Sequence, residues 1–295
     1  MSDKKMHDHE IPIDVPLIMK LLSAQFPKWS NLPLSLVRSD GTDNAIYRLG
    51  RDKCVRLPRI SSAADQVDKE QKWLPHLASQ LPLAIPDILE RGRPNADYPW
   101  PWSICQWIEG ENAATSQITD LRQATIDLAN FIGALHQIDS AGGPLARRGF
   151  PLSTQDKSVR SSLKSLHDVM DTEVITRIWE ECLQAPLWDK SPVWIHGDLL
   201  PANLLIQDGK LSAIIDFGLM GIGDPACDLI PAWNFLTADT RDIFRTTLGV
   251  DDATWTRGRG CALSIALIIL PYYWDTNPGL VAVAKRMIDE ILSDS

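Results

Sequence analysis

The segment His196-Gly197-Asp198-Leu199-Leu200-Pro201-Ala202-Asn203, followed by Ile214-Ile215-Asp216-Phe217-Gly218, decides how this chain folds. An acid and an amide five residues apart leave a loop between them and do not share a helix face. Asp216 follows Asn203 by thirteen residues, with two short apolar runs in between. Val193-Trp194-Ile195 and Ala213-Ile214-Ile215 lead into the two acids, with Leu204-Leu205-Ile206 between them, and all three runs read as strands. Phosphoryl transfer needs such a set. One carboxylate orients the acceptor hydroxyl and takes its proton, while an amide oxygen and a second carboxylate hold magnesium, a hard cation that selects oxygen. Singly, each of the three reads as well as a turn residue. Their order, with an apolar strand before each acid, favours the chemical reading.

Toward the N-terminus the pattern is strand-rich. Residues 12–26 carry one apolar helical stripe. Leu34–Val37 and Ala45–Leu49 flank the turn Ser39-Asp40-Gly41-Thr42-Asp43-Asn44 as a hairpin, and Cys54–Leu57 forms a third strand stopped by Pro58. Ser61–Leu77 reads as a helix, residues 81–101 with their five prolines as loop and short strand, and Trp102–Ile108 as a further strand. Beyond Glu109-Gly110 the character changes. Ile118–Ile138, Ser158–Leu183 and Asp239–Leu292 are mainly helical, and a Gly/Pro/Arg-rich loop spans Gly142–Pro151. No internal repeat or low-complexity segment is present.

The chain has 295 residues, 44% hydrophobic and 23% charged, which fits a globular protein of two domains or lobes. Its longest apolar stretch, near Cys261–Leu270, is too short to span a bilayer, and the polar Met1–Glu10 lacks the apolar core of a signal peptide. Five widely spaced cysteines without a CxxC pair argue against a disulfide framework or zinc site and for a reducing cytoplasm. The net charge of −9 disfavours nucleic-acid binding. Residues 1–105 carry 14 basic and 13 acidic side chains, and residues 106–295 carry 15 and 25. The excess reads as a solvated acidic surface, or as a part that handles metal ions or a cationic substrate.

His196-Gly197-Asp198, Asn203, Asp216-Phe217-Gly218, Gly223-Asp224-Pro225-Ala226 and Asp228 together resemble the aminoglycoside phosphotransferase family, small-molecule kinases with a protein-kinase-like fold. The resemblance is strong over residues 193–230 and consistent from about 34 to 275. It implies an α+β two-lobe fold. A small antiparallel-sheet N-lobe, residues 1–108, would bind nucleotide, and a larger, mainly helical C-lobe, residues 109–295, would hold the catalytic and substrate sites. By the match Asp198 is the catalytic base, Asn203 and Asp216 bind magnesium, and Asp228 braces the catalytic loop. Arg56 would contact the α/β-phosphates and pair with Glu70. Relatives often carry lysine at the first position, and arginine replaces a point charge with a fork. Ser39 and Thr42 lie where a phosphate-covering loop would be. Backbone groups of Gln106 and Ile108 would recognise adenine, with the small Cys105 at the entrance leaving room for ATP and GTP a second choice.

The implied reaction moves the γ-phosphate of ATP, with magnesium, to a hydroxyl of a small molecule. An aminoglycoside-type antibiotic is the first acceptor to consider, with a macrolide or a choline- or homoserine-type metabolite as alternatives. A non-catalytic nucleotide-binding protein on the same fold is a further reading. The five residues between Gly218 and Asp224 leave no room for the long activation segment of a protein kinase, and no GxxxxGK[ST] loop occurs. His7 and His9 belong to a polar tail, His136 suits the negative pole of its helix, and His196 is a structural residue of the loop. Trp233, Trp255 and Trp274 are candidates to line a substrate cleft.

Overall fold

The computed structural model describes residues 11–37 and 43–294. The chain forms two compact units, both discontinuous. The first comprises residues up to 79, 84–109 and 214–218; the second comprises 80–83, 110–213 and from 219 onward.

The first unit opens with α1 (Val15–Gln25), which begins later than the apolar stripe because the Asp14 side chain caps it by accepting from Leu17 N. Strands β1 (Leu34–Leu36), β2 (Asn44–Leu49) and β3 (Lys53–Pro58) follow, then α2 (Ser61–Ala78), β4 (Ile88–Gly92) and β5 (Trp102–Gln106). The five strands form one antiparallel sheet in the order β1-β2-β3-β5-β4. Pro58 ends β3 opposite Asn44 at the last position of the ladder, where a missing N–H does least harm. Alternation along β2 and β3 sends Ala45, Tyr47, Leu49, Val55 and Leu57 into a core shared with Ile18, Leu21 and Leu22 of α1. The same alternation turns Arg56 to the other face of β3.

The second unit contains β6 (Glu111–Asn112), α3 (Leu121–Gln137), α4 (Asp156–Leu166), α5 (Thr172–Gln184), β7 (Val193–Ile195), β8 (Leu204–Gln207), β9 (Lys210–Ile214), β10 (Gly221–Gly223), α6 (Pro231–Asn234), α7 (Ala238–Leu248), α8 (Asp252–Tyr273) and α9 (Pro278–Ser293). Long helical stretches of the sequence are subdivided by caps. Asp171 starts α5, Asp251 starts α8 and Asn277 starts α9, each accepting a backbone N–H of the first turn. β7 pairs antiparallel with β10, while β6, β8 and β9 form a three-stranded sheet in that order; the loop that follows β7 runs between β7 and β8. Among the described residues no helix is long and apolar enough to cross a membrane.

Candidate active site

In the first unit β3 and α2 bring Arg56 and Glu70 together. Arg56 Nη1 donates to both carboxylate oxygens of Glu70 at 2.6 Å, and Nη2 donates to Asp216 Oδ1 at 2.7 Å. Burial opposes the charge on Arg56, but the attraction of Glu70 and Asp216 outweighs it and raises its pKa. Burial pushes the Glu70 carboxyl up, with Arg56 pulling against it. Asp216 holds a left-handed backbone, φ +63°, one that Asp tolerates better than most side chains. Lys69 Nζ donates to the carbonyl of Gly218 at 2.7 Å, anchoring the turn just past Asp216. Strand β5 ends at Gln106, whose N–H donates to Asp87 O at 2.8 Å. Ile108 lies two residues beyond the strand, and its backbone N–H and carbonyl have no partner among the described residues. Ser39 and Thr42 lie outside the described residues.

In the second unit β7 delivers the loop 196–203. Its bends are held from below by Asp228, a fully buried carboxylate that accepts from His196 N at 2.9 Å and Gly197 N at 2.8 Å. Asp228 stands in a short 3-10 turn, Pro225–Leu229, capped by Asp224, which Arg257 grips with two nitrogens at 2.7 and 3.2 Å. His136 at the end of α3 places Nε2 3.4 Å from Asp228 Oδ2, so it faces a carboxylate as well as the helix pole. His196 is buried, and its Nδ1 accepts from Asp198 N at 3.2 Å, as suits a structural histidine. Gly197 has φ +79°, and a Cβ there would lie 3.2 Å from the carbonyl of Leu219. Glycine is required at that bend. Asn234 reaches the loop from α6, its Nδ2 donating to Leu199 O at 2.9 Å.

Asp198 is therefore presented on a fixed backbone, and two side chains orient it further. Asn203 Nδ2 donates to the Asp198 carbonyl at 2.8 Å and to Oδ2 at 3.3 Å. Arg148 Nη1 donates to Asp198 Oδ1 at 2.5 Å and to the Gly197 carbonyl at 3.0 Å. Burial opposes the Arg148 charge, but Asp198 leads the attractions that raise its pKa overall. The loop bearing Arg148 is tied to β10 and the residue after it. Ala146 N donates to Ile222 O, and Asp224 N to the carbonyl of Gly149, whose φ is +81°.

Taken one at a time, the amide and carboxylate oxygens of Asn203 and Asp216 are of the kind a hard cation such as magnesium selects. Asn203 commits its amide nitrogen to Asp198 and has Oδ1 left over; Asp216 spends Oδ1 on Arg56 and has Oδ2 left over. Magnesium uses one or two such side chains and completes its shell with phosphate and water, so no dense acidic cage is needed. Among the described residues no group of three or more His, Cys, Asp or Glu side chains forms such a cage.

The sequence reading missed Arg148, which lies fifty residues before Asp198. Its only signal was the two arginines of the Gly/Pro-rich loop. Asn234 was equally hidden. Trp233 lies fully buried against Trp255, ring centres 5.0 Å apart, so it packs the core and does not line a cleft.

The profile of the phosphotransferase enzyme family matches residues 36–261. An aminoglycoside 3'-phosphotransferase of Escherichia coli is 29% identical over 182 residues, 59% of this chain and 65% of that protein. The matched stretch thus spans less than two thirds of the relative's length. The GDP complex of wild-type aminoglycoside 2'-phosphotransferase-IIIa has a TM-score of 0.77 at 18% identity, covering 96% of this chain and all of that one. A ternary complex of an aminoglycoside 2''-phosphotransferase with streptomycin and ATP has a TM-score of 0.61 at 19% identity, covering 95% of this chain and 97% of that one. At such identities the structural likeness shows the fold.

Proposed function

We infer, from the premise that this chain belongs to the phosphotransferase enzyme family, that it moves the γ-phosphate of ATP to a hydroxyl of a small molecule. The observation that carries this reading is the setting of Asp198. Its carboxylate is oriented by Asn203 and Arg148 on a loop whose backbone is clamped by Asp228. A fixed carboxylate can orient an acceptor hydroxyl and take its proton as that oxygen bonds to the γ-phosphorus and the bond to the ADP oxygen breaks. Asp216 and Asn203 each offer an oxygen to magnesium, and the ion, when bound, neutralises phosphate charge. Arg56, oriented by Glu70, is the cation assigned to the α/β-phosphates. Ser39 and Thr42 are assigned to covering the phosphates, a role carried only by their place in the sequence.

ATP is the assigned donor because the small Cys105 leaves room for adenine to meet the carbonyl of Gln106 and the amide of Ile108. Guanine would present mismatched groups there, costing about 1–3 kcal/mol. A clear preference for GTP at limiting nucleotide would overturn this part. Names of relatives set the first acceptor panel, aminoglycosides and streptomycin among them. The decisive test is Asp198→Asn, which should lower turnover by roughly 10² to 10⁴ while nucleotide still binds. Near-normal turnover in a folded variant would remove Asp198 from the mechanism.

A further inference from the structure

Two cysteines of the first unit face each other across the sheet. Cys54 of β3 and Cys105 of β5 are direct partners in the antiparallel ladder. Alternation sends Val55, Leu57, Trp102 and Ile104 into the core, so Cys54, Arg56, Ser103 and Cys105 share the opposite face. Directly opposite residues of an antiparallel pair have Cα atoms about 4.5 or 5.5 Å apart, and a disulfide spans about 4.4–6.8 Å. Cys54 is partly exposed and Cys105 is buried. The Cys105 thiol has two hydrogen-bond partners, the Cys54 sulfur and Ser103 Oγ, the latter at 3.5 Å. The bond with Cys105 is the largest influence on Cys54 and holds its thiol below the ordinary cysteine value, against the effect of burial. Arg56 and Arg48 add to this although each is ion-paired, Arg56 with Glu70 and Asp216, Arg48 with Glu109. The same hydrogen bond, and then burial, pushes the Cys105 thiol well up. The pair is therefore unequal, with one sulfur suited to attack and the other to keep its proton and follow.

We propose that Cys54 and Cys105 form a modification site for hydrogen peroxide, closing to a disulfide that joins β3 to β5 and weakens nucleotide binding. The bond itself follows from the sheet; its effect on nucleotide rests on the placing of adenine at Gln106 and Ile108. In the first step the Cys54 thiolate attacks one peroxide oxygen. The S–O bond forms as the O–O bond breaks, and the departing hydroxide takes a proton and leaves as water. In the second step Cys105 gives up its proton and attacks the Cys54 sulfur. The S–S bond forms, the S–O bond breaks, and a second water leaves. Two thiols have then lost two electrons, and one hydrogen peroxide has become two waters. A small thiol reverses the change by two exchanges through a mixed disulfide, and is itself oxidised. Closure draws the two Cβ atoms from about 4.5–5.5 Å to about 3.8 Å. That shifts the backbone at Cys105, the residue before Gln106, and lays the two sulfurs on the face that carries Arg56.

The test starts from protein reduced with dithiothreitol and then freed of it. It is exposed at pH 7 to a small excess of hydrogen peroxide, quenched with N-ethylmaleimide and mapped by mass spectrometry without reduction. A cross-linked peptide joining Cys54 to Cys105 within one chain should appear, and dithiothreitol should remove it. Cys54 should be consumed at least about tenfold faster than Cys182, a buried thiol pushed up to about 12. Cys105→Ser should give no cross-link and a dimedone adduct on Cys54, and Cys54→Ser should leave Cys105 unmodified, both with the circular dichroism of wild type. The wild-type map decides the cross-link without either variant. Oxidised wild type should bind magnesium–ATP about tenfold more weakly than the same sample reduced again, in line with the loss of one buried hydrogen bond. Peroxide treatment of Cys54→Ser should leave its ATP binding unchanged. Absence of the cross-link, a cross-link to another cysteine in its place, equal rates at Cys54 and Cys182, or equal ATP binding before and after re-reduction would overturn the proposal. A reduced wild type that binds no ATP would instead remove the adenine reading, while the peptide map still decides the cross-link.

Discussion

Arg56 places one nitrogen, Nη1, at 2.6 Å from both carboxylate oxygens of Glu70, and Glu70 is 1% exposed. The second terminal nitrogen is thereby aimed at Asp216. A lysine would have to meet both acids from a single nitrogen, without the two-pronged geometry of the guanidinium. We expect Arg56→Lys to fold and to raise the nucleotide KM about tenfold, in line with the loss of one charge-assisted bond. Glu70→Ala leaves a buried cation short of its partner and should lower unfolding free energy by about 3–5 kcal/mol, read by urea titration. Wild-type KM in the lysine variant would show that the charge at this position, and not the fork, serves the nucleotide.

Asp228 satisfies two backbone N–H groups in a place water does not reach. Asp228→Ala orphans both, and each buried donor left unpaired costs about 1–3 kcal/mol. Asp228→Asn keeps one acceptor oxygen and should fall between alanine and wild type in urea midpoint. Turnover should fall in both, because the bend that presents Asp198 loosens. Unchanged stability in the alanine variant would show that the loop is held by other bonds.

Asp216 combines the proposed ligand role with an unusual backbone, φ +63°, and substitutions separate the two. Asp216→Asn keeps tolerance for φ +63° and removes the charge. Asp216→Ala removes the charge and adds strain of roughly 1 kcal/mol. Both should abolish the magnesium dependence of nucleotide binding in titration calorimetry, and only alanine should also carry the strain penalty in a melt. An equal magnesium effect in wild type and either variant would exclude Asp216 as a ligand.

Much of this arrangement can be read from the chain in order. Asp198, Asn203 and Asp216 announce themselves because strands lead into both acids and the spacing is local. Arg56 and Glu70 were legible for the same reason, since a strand and the next helix lie fourteen residues apart. Arg148 was not, because its partner is fifty residues away and nothing in a Gly/Pro-rich loop states which strand it will cross. Helix boundaries at Asp171, Asp251 and Asn277 were blurred in the hydrophobic pattern, which runs on through each break. A cap is one side chain, and its choice between turn and helix start depends on the backbone it meets.

The cap of α8 gives a pH prediction. Asp251 accepts from Thr254 N at 2.7 Å, and that backbone bond, the largest influence, holds its carboxyl below the ordinary value. A depressed folded-state pKa means the contribution is present above the unfolded value, near pH 4, and is lost as pH falls through the folded one. Asp251→Ala should lower stability at pH 7 by about 1 kcal/mol. The gap between wild type and variant in thermal melts should narrow steadily below about pH 4. A gap constant down to pH 2 would mean that the ionised cap contributes nothing.

Residues 214–218 fold with the first unit although residues 110–213 of the second come before them. The consequence is genetic as much as structural. No single break point in the coding sequence separates two cassettes, and a gene fragment ending at codon 109 encodes Arg56 and Glu70 without Asp216. Chimeras with a relative need further junctions at 213/214 and 218/219 to inherit an intact Arg56–Asp216 contact. Random single-crossover recombination between 109 and 214 delivers these partners from different parents, and every such hybrid tests whether they still recognise each other.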